Sequence, residues 1–190
     1  MKLLVIDNYD SFTYNMVHIL EPFVDTIDVV RNDKIILEDI EKYDAILISP
    51  GPGLSKDSGM TLDLIKRYAS TKRILGICIG HEAIAEAFGA KLKNLPQVRH
   101  GEALKTIVTN DTEVLFKGIP QTFNCGRYHS WIIDKNTLPD CFNITAVDEE
   151  AHIMAMSHKT FDLKGIQFHP ESVLTEYGKQ IFKNWVTDYL

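Results

Sequence analysis

The stretch Arg73-Ile-Leu-Gly-Ile-Cys-Ile-Gly-His-Glu-Ala-Ile-Ala-Glu-Ala-Phe-Gly89 changes its period in the middle. Ile74 and Leu75 form an apolar run suited to a buried strand, whereas Ile84, Ala87 and Phe88 recur at helical spacing. Between them lies Gly76-Ile77-Cys78-Ile79-Gly80, the cysteine form of a nucleophile elbow, a strained strand-to-helix turn that exposes one side chain. Glycines on either side accept unusual backbone angles and let neighbouring chain come close. Such a turn sets Cys78 at a helix N-terminus, where the positive end of the macrodipole favours a thiolate. The N–H of Ile79 then points to where an oxyanion forms. Free cysteines more often behave as small buried hydrophobes, and Cys125 and Cys141 are read that way. The glycine bracket at a strand-to-helix switch sets Cys78 apart.

Working outward, strands and helices alternate through the first half. Leu3–Ile6 reads as a buried first strand, ended by Asp7-Asn8. Tyr14, Val17, His18 and Ile19 give a helical face, with Ser11 expected as N-cap and Pro22 as the stop. Ile27–Val30 and Ala45–Ser49 are further strands, Ile36–Tyr43 is a short helix or turn, and Met60 to Tyr68 supplies a second helix. This order predicts a parallel, doubly wound sheet. The second half offers shorter strand candidates at Leu104–Thr109, Thr122–Cys125, Asn143–Val147, Ile153–Ser157 and Leu163–Phe168. These form either an antiparallel extension or a second small sheet. Tyr177, Ile181, Phe182, Trp185 and Val186 then mark a closing helix. The expected architecture is a three-layer α/β sandwich around a mainly parallel sheet with a β-rich antiparallel extension.

A chain of 190 residues with 45% hydrophobic and 24% charged residues is read as one globular domain, 1–190. A net charge of −6 without a basic run argues against nucleic acid as a partner. Three cysteines with no Cys-x-x-Cys pair argue against a disulfide framework or a zinc site, and no metal site is expected. The apolar run at the N-terminus is too short for a signal peptide, and no segment approaches a membrane span, so a cytoplasmic location is expected.

Two further stretches carry chemistry. Pro50-Gly51-Pro52-Gly53 follows a parallel strand, at the sheet end where open α/β folds bind ligands. The N–H of Gly53 is a candidate second oxyanion donor beside Ile79, although taken alone the tetrapeptide is no more than a tight turn. Phe168-His169-Pro170-Glu171-Ser172 is the other. Side chains two apart in extended chain share a face, and Pro170 biases His169 towards extended geometry. Glu171 can therefore hold one nitrogen of His169 and leave the other for the thiol. A thiol with such a partner suits acyl transfer through a tetrahedral oxyanion and a thioester.

These residues carry a resemblance. Ile6 to Asn15 (IDNYDSFTYN), Ser49 to Gly53 (SPGPG), Gly76 to His81 (GICIGH), Arg127 to Ser130 (RYHS) and Phe168 to Glu176 (FHPESVLTE) are similar to the triad, or class I, glutamine amidotransferases. Within that class the chain resembles the glutaminase subunits of anthranilate synthase and aminodeoxychorismate synthase. The Asp7–Thr13 motif points to this chorismate-using branch rather than to GMP or carbamoyl-phosphate synthesis. The resemblance implies that Cys78 attacks the side-chain amide of glutamine, that His169 is general base and then acid, and that Glu171 holds it. It implies that ammonia passes to a separate chorismate-binding synthase subunit. It also implies glutamine contacts at Gly51, Pro52, Gly53 and the position of Glu82, and from the main chain of Ser130 and Trp131. The family more often has leucine at 131, an exchange that a main-chain contact tolerates. Asp7–Thr13 and Arg127–His129 are implied to face the partner or the path of ammonia, although Arg127 alone reads equally as a surface charge and Tyr128 as packing. No cofactor is implied for this chain; magnesium would belong to the partner.

One position departs from the pattern. The family has glutamine where this chain has Glu82, four residues beyond Cys78 and on the same helix face. A carboxylate there lacks the amide's donors and opposes a thiolate, or else pairs with the ammonium group of glutamine. The expectation is a basal glutaminase activity that is weak or dependent on the partner. Two other readings stay open: a related Cys-His-Glu hydrolase such as a γ-glutamyl hydrolase, and a catalytically silent binding or regulatory subunit. His81 is expected to be structural or to support the residues that touch the substrate, because the elbow turns it away.

Overall fold

The computed structural model describes residues 1–187. Strand β1 (Lys2–Asp7) is apolar without a break because both of its faces are covered. Leu3 and Val5 enter one hydrophobic core, and Leu4 and Ile6 the other. The same alternation splits Leu47 from Ile46 and Ile48 in β3 (Ala45–Ile48), and Leu75 from Ile74 in β4 (Arg73–Ile77). Helices α1 (Thr13–Leu20) and α4 (Gly178–Thr187) close the first core through Met16, Leu20, Phe182 and Trp185. Helices α2 (Thr61–Tyr68) and α3 (Ile79–Ala87) close the second through Leu64, Ile65, Tyr68 and Ile84. Each such side chain contributes roughly 1.5–3 kcal/mol on burial. Three layers result.

The remaining strands are β2 (Thr26–Arg31), β5 (Leu92–Val108), β6 (Thr122–Ile133), β7 (Phe142–Val147), β8 (Ile153–His158) and β9 (Leu163–Ile166). All join one sheet, ordered β2-β1-β3-β4-β9-β8-β7-β5-β6. From β2 to β9 the neighbours run parallel, and from β9 to β6 antiparallel. The second half is thus an extension of the first sheet and not a separate one. Strands β5 and β6 are longer than Leu104–Thr109 and Thr122–Cys125. Pro96 and Gly101 interrupt the apolar pattern of β5, and its register against β6 slips between Asn94 and Arg99 and again between His100 and Glu102. Gly101 absorbs the second slip at φ 72°.

Local details differ from expectation at the first helix. Ser11 does not cap α1; Phe12 occupies that position, and its N–H donates to the Asp10 carboxylate at 3.1 Å. Helix α1 ends at Leu20, and Pro22 lies in a single 3₁₀ turn, Glu21–Phe23. Leu37–Lys42 is likewise 3₁₀. Among the described residues no helix is long and apolar enough to cross a membrane.

Candidate active site

Strand β4 delivers Cys78 to the carboxyl edge of the parallel strands, where Cys78 occupies the N-cap of α3 at φ 52°, ψ −106°. Positive φ in a residue with a Cβ stores roughly 1–3 kcal/mol and persists only where its surroundings impose it. The glycines beside it show what imposes it. A Cβ on Gly76 would lie 2.4 Å from the carbonyl of Gly80, and one on Gly80 would lie 2.6 Å from the carbonyl of Ile48. The turn therefore closes on itself and α3 presses against β3. The Cys78 N–H donates to Ile166 O at 2.8 Å, which fixes the elbow to the end of β9.

A pocket of about 170 Å³ opens at this point. Its walls bring together Gly51, Pro52 and Gly53, the elbow residues Cys78 and Ile79, Glu82, and the run from Tyr128 to Trp131. Gly53 stands at φ 85°, an angle that would strain any other residue. Glu82 is only 3% exposed, so it is no solvated helix residue. Burial pushes its carboxyl up to about 8, opposed by a hydrogen bond from Gln167 and assisted by Glu86. This favours the protonated carboxyl of Glu82 at neutral pH. Gln167 Nε2 donates to Glu82 Oε1 at 3.1 Å and stands 3.9 Å from Cys78 Sγ. Burial also holds the Cys78 thiol well above its usual range; Glu82, Glu171 and Asp10 add to this, and the Ile79 N–H pulls it down. The expected thiolate at a helix N-terminus is thus outweighed in this structure by burial and by neighbouring acids.

His169 follows β9 and pairs with Gly126 of β6 through an isolated bridge. Its Nδ1 meets Glu171 Oε1 at 2.6 Å, while Nε2 is buried and has no partner among the described residues. The Tyr128 ring packs on the imidazole at 4.8 Å between centroids. His169 and Glu171 line a second pocket of about 140 Å³ with Phe12, Asn15, Ser172 and Val173; Tyr128 borders both pockets. Asp10 adds a carboxyl whose pKa burial raises, with His169 lowering it and Glu171 raising it.

Several side chains lie elsewhere than the sequence suggests. Arg127 is no surface charge: it is 1% exposed, and its guanidinium donates to Lys105 O and Thr106 Oγ1. His129 is buried, its pKa lowered to about 4 by burial and by Arg127, and its Nδ1 donates to the Trp131 carbonyl at 3.0 Å. The main chain of Trp131, expected to contact glutamine, thus already accepts one hydrogen bond from within the chain. His81 is fully buried against Gly165 and neutral, at about 3 through burial, which suits the structural role expected for it. Sequence reasoning did not single out Gln167, and it named Asp10 only within a motif. No period marks Gln167: the chain bends at 167–168 and turns at Pro170–Glu171, where Ser172 N donates to His169 O at 3.3 Å, so its place beside Cys78 and Glu82 follows from the fold. Among the described residues no group of three or more His, Cys, Asp or Glu side chains is arranged to hold a metal ion.

A thiol raised on a strained elbow at the carboxyl end of a parallel sheet, with an imidazole held by a carboxylate at the adjoining strand end, belongs to the α/β thiol enzymes of acyl transfer. Comparison with known proteins narrows the class. The model of the family described as glutamine amidotransferase class-I matches residues 4–189, and the chain belongs to that family. It is 41% identical over 186 residues to an aminodeoxychorismate synthase component 2 of Escherichia coli, covering 97% of this chain and 98% of that one. It is 39% identical over 189 residues to an aminodeoxychorismate/anthranilate synthase component 2 of Bacillus subtilis, covering 98% and 96%. Among solved structures, a putative GMP synthase subunit from Thermoplasma acidophilum superposes with a TM-score of 0.87 at 29% identity, over 98% of this chain and 92% of that one.

Proposed function

We propose that the chain is the glutaminase subunit of a chorismate-aminating synthase, hydrolysing L-glutamine to glutamate and ammonia and delivering the ammonia to a chorismate-binding partner. The observation that carries this is Cys78 on its elbow in one pocket with Gly51–Gly53 and Ser130–Trp131, while His169, its Nε2 without a partner among the described residues, lines a second pocket that shares the Tyr128 wall. Cys78 loses its proton to His169 Nε2, and the sulfur attacks the side-chain amide carbon. The N–H groups of Ile79 and Gly53 receive the oxyanion. As the C–N bond breaks, His169 returns the proton to the leaving ammonia and a thioester remains. His169 then takes a proton from water, which cleaves the thioester to glutamate and restores the thiol. Glu171 holds the imidazole throughout.

The names of the relatives support the chorismate branch, anthranilate or aminodeoxychorismate. Surface chemistry supports a partner at the same end: Phe12 and Val173, on the rim of the His169 pocket, are 46% and 100% exposed, and Tyr9 and Tyr14 nearby are also exposed. In this reading the whole chain, 1–190, acts as one cytoplasmic domain without a cofactor, and any magnesium belongs to the partner's chorismate site. The carboxyl at 82 favours a low basal rate raised by the partner. The test is release of ammonia and glutamate from glutamine by the chain alone and with a chorismate-binding synthase subunit, against Cys78→Ser. Release that requires Cys78 in either condition supports the reading; a folded protein with no release in both overturns it.

A further inference from the structure

The loop that carries Gly53 is stitched to the rest of the fold by two buried asparagines. Asn8, after β1, donates from Nδ2 to Ser49 O at 2.8 Å, and its N–H donates to Ser49 Oγ at 2.9 Å. Ser49 Oγ in turn donates to Pro50 O at 2.7 Å. Asn8 Oδ1 accepts from Asn32 Nδ2, after β2, at 2.9 Å. The contact is close enough that a Cβ on Gly51 would lie 2.3 Å from Asn8 O. The far end of the loop returns to the same pair. Met60 N donates to Asn32 O at 3.3 Å, and a Cβ on Gly59 would lie 2.6 Å from that oxygen. Both ends of segment 49–60 are therefore anchored on Asn8 and Asn32, and the span between them forms one wall of the Cys78 pocket.

The flanks of the pair are pinned as well. Tyr9 sits at φ 62°, its hydroxyl donates to Asp33 Oδ1 at 3.0 Å, and the Arg31 guanidinium lies 4.7 Å over its ring. A buried amide-to-amide bond adds only about 1 kcal/mol net, because both groups leave water. What an apolar pair at these positions would not supply is a fixed distance between β1, β2 and the loop after β3.

We infer that Asn8 and Asn32 are positioning residues that hold the Pro50–Gly53 main chain where the Gly53 N–H meets the oxyanion formed at Cys78. The inference rests on the glutaminase reading only for the identity of the substrate, since any acyl group on Cys78 passes through the same oxyanion. An oxyanion donor works within about 2.7–3.1 Å of the developing charge, and a displacement of about 1 Å costs on the order of 100-fold in rate.

The test compares three reactions of Cys78 in Asn32→Ala, which keeps the main-chain link to Met60 and removes only the side-chain donor. Glutamine hydrolysis and acylation by p-nitrophenyl acetate both pass through a tetrahedral oxyanion. Alkylation by iodoacetamide forms the S–C bond and expels iodide without one. Glutamine turnover and the acylation rate are expected to fall by about 10- to 100-fold, with the alkylation rate within twofold of the parent. Ser49→Ala, which cuts the Asn8–Pro50 relay, is expected to show the same split and serves if Asn32→Ala does not fold. An equal fall in all three reactions, or no fall in the first two, overturns the inference. If the parent acylates as expected but never hydrolyses glutamine, with or without a synthase subunit, the glutaminase reading fails and the clamp stands on the ester alone.

Discussion

Replacing Glu82 with glutamine tests the ionisation state at the heart of the pocket. The carboxyl is pushed up to about 8 in the folded protein, from an ordinary 4.5. Between those values the native state keeps a proton that the unfolded chain has lost. Stability contributed by this group is therefore complete below pH 4.5 and is lost as pH rises, at about 1.4 kcal/mol per pH unit, until it levels off near pH 8. At pH 7 the accumulated loss is roughly 3 kcal/mol. Glutamine at 82 has no such dependence, so the E82Q protein is expected to be more stable by about that amount at pH 7 and no more stable at pH 4.5. Urea unfolding of both proteins at half-unit steps from pH 4.5 to 8.5 measures the difference directly. The same exchange acts on the thiol. Above pH 8 the Glu82 anion stands one helical turn from Cys78, which it already pushes up. Iodoacetamide alkylation at pH 9 is expected to run faster in E82Q, because the like charge that holds the thiol up is gone. Parallel stability curves across the whole range would refute the reasoning, because they would mean that Glu82 ionises in the native state as readily as in the unfolded chain.

Two further substitutions probe the remaining parts. Glu171→Gln breaks the charge-assisted bond to His169 Nδ1 and lets the imidazole take the wrong tautomer; kcat for glutamine is expected to fall by roughly 1,000-fold with KM changed by no more than a few fold, read by steady-state glutamate release. Gly80→Ala drives a methyl group to 2.6 Å from the Ile48 carbonyl; denaturant titration is expected to show a loss of about 2 kcal/mol or more as α3 lifts from β3.

The elbow is legible in the sequence because three independent signals coincide in Gly76–Gly80: an apolar run ending, a helical period beginning, and glycines at both flanks. The clashes that a Cβ would make at Gly76 and Gly80 give the physical cause of that pattern. The pairing of His169 with Glu171 is legible, but its expected cause is not the observed one: the chain turns at Pro170–Glu171 instead of running extended, and the turn brings the carboxylate back to Nδ1. The antiparallel half is only partly visible. Strand β5 spends its first residues as a register-slipped ribbon with half-buried and exposed positions, so no alternation marks it. Strand β6 buries Arg127 and His129 and sets Tyr128 against His169, and inward polar residues look like surface in one dimension. The burial of Arg127 and the place of Gln167 depend on which strands end side by side. Topology decides that, and a linear pattern does not hold it.

That topology also determines what the site must do to work. Cys78 is surrounded by acids: Glu82 one turn along its helix, with Glu171 and Asp10 contributed by other parts of the chain. The N–H of Ile79 pulls it towards the thiolate. Each acid that ionises makes the sulfur harder to charge, so the protonated Glu82 is the less obstructive of its two forms. In the proposed mechanism the route to a nucleophile is transfer of the proton to His169, whose Glu171 bond would stabilise the imidazolium as it forms. That transfer is favoured by anything that draws Cys78 and Nε2 together or removes water from the second pocket. The exposed rim of Phe12 and Val173 lies on that pocket, so a body covering it acts on His169 from outside the glutamine pocket. The same surface that would bind a partner is thus placed to control the proton on which the thiol depends.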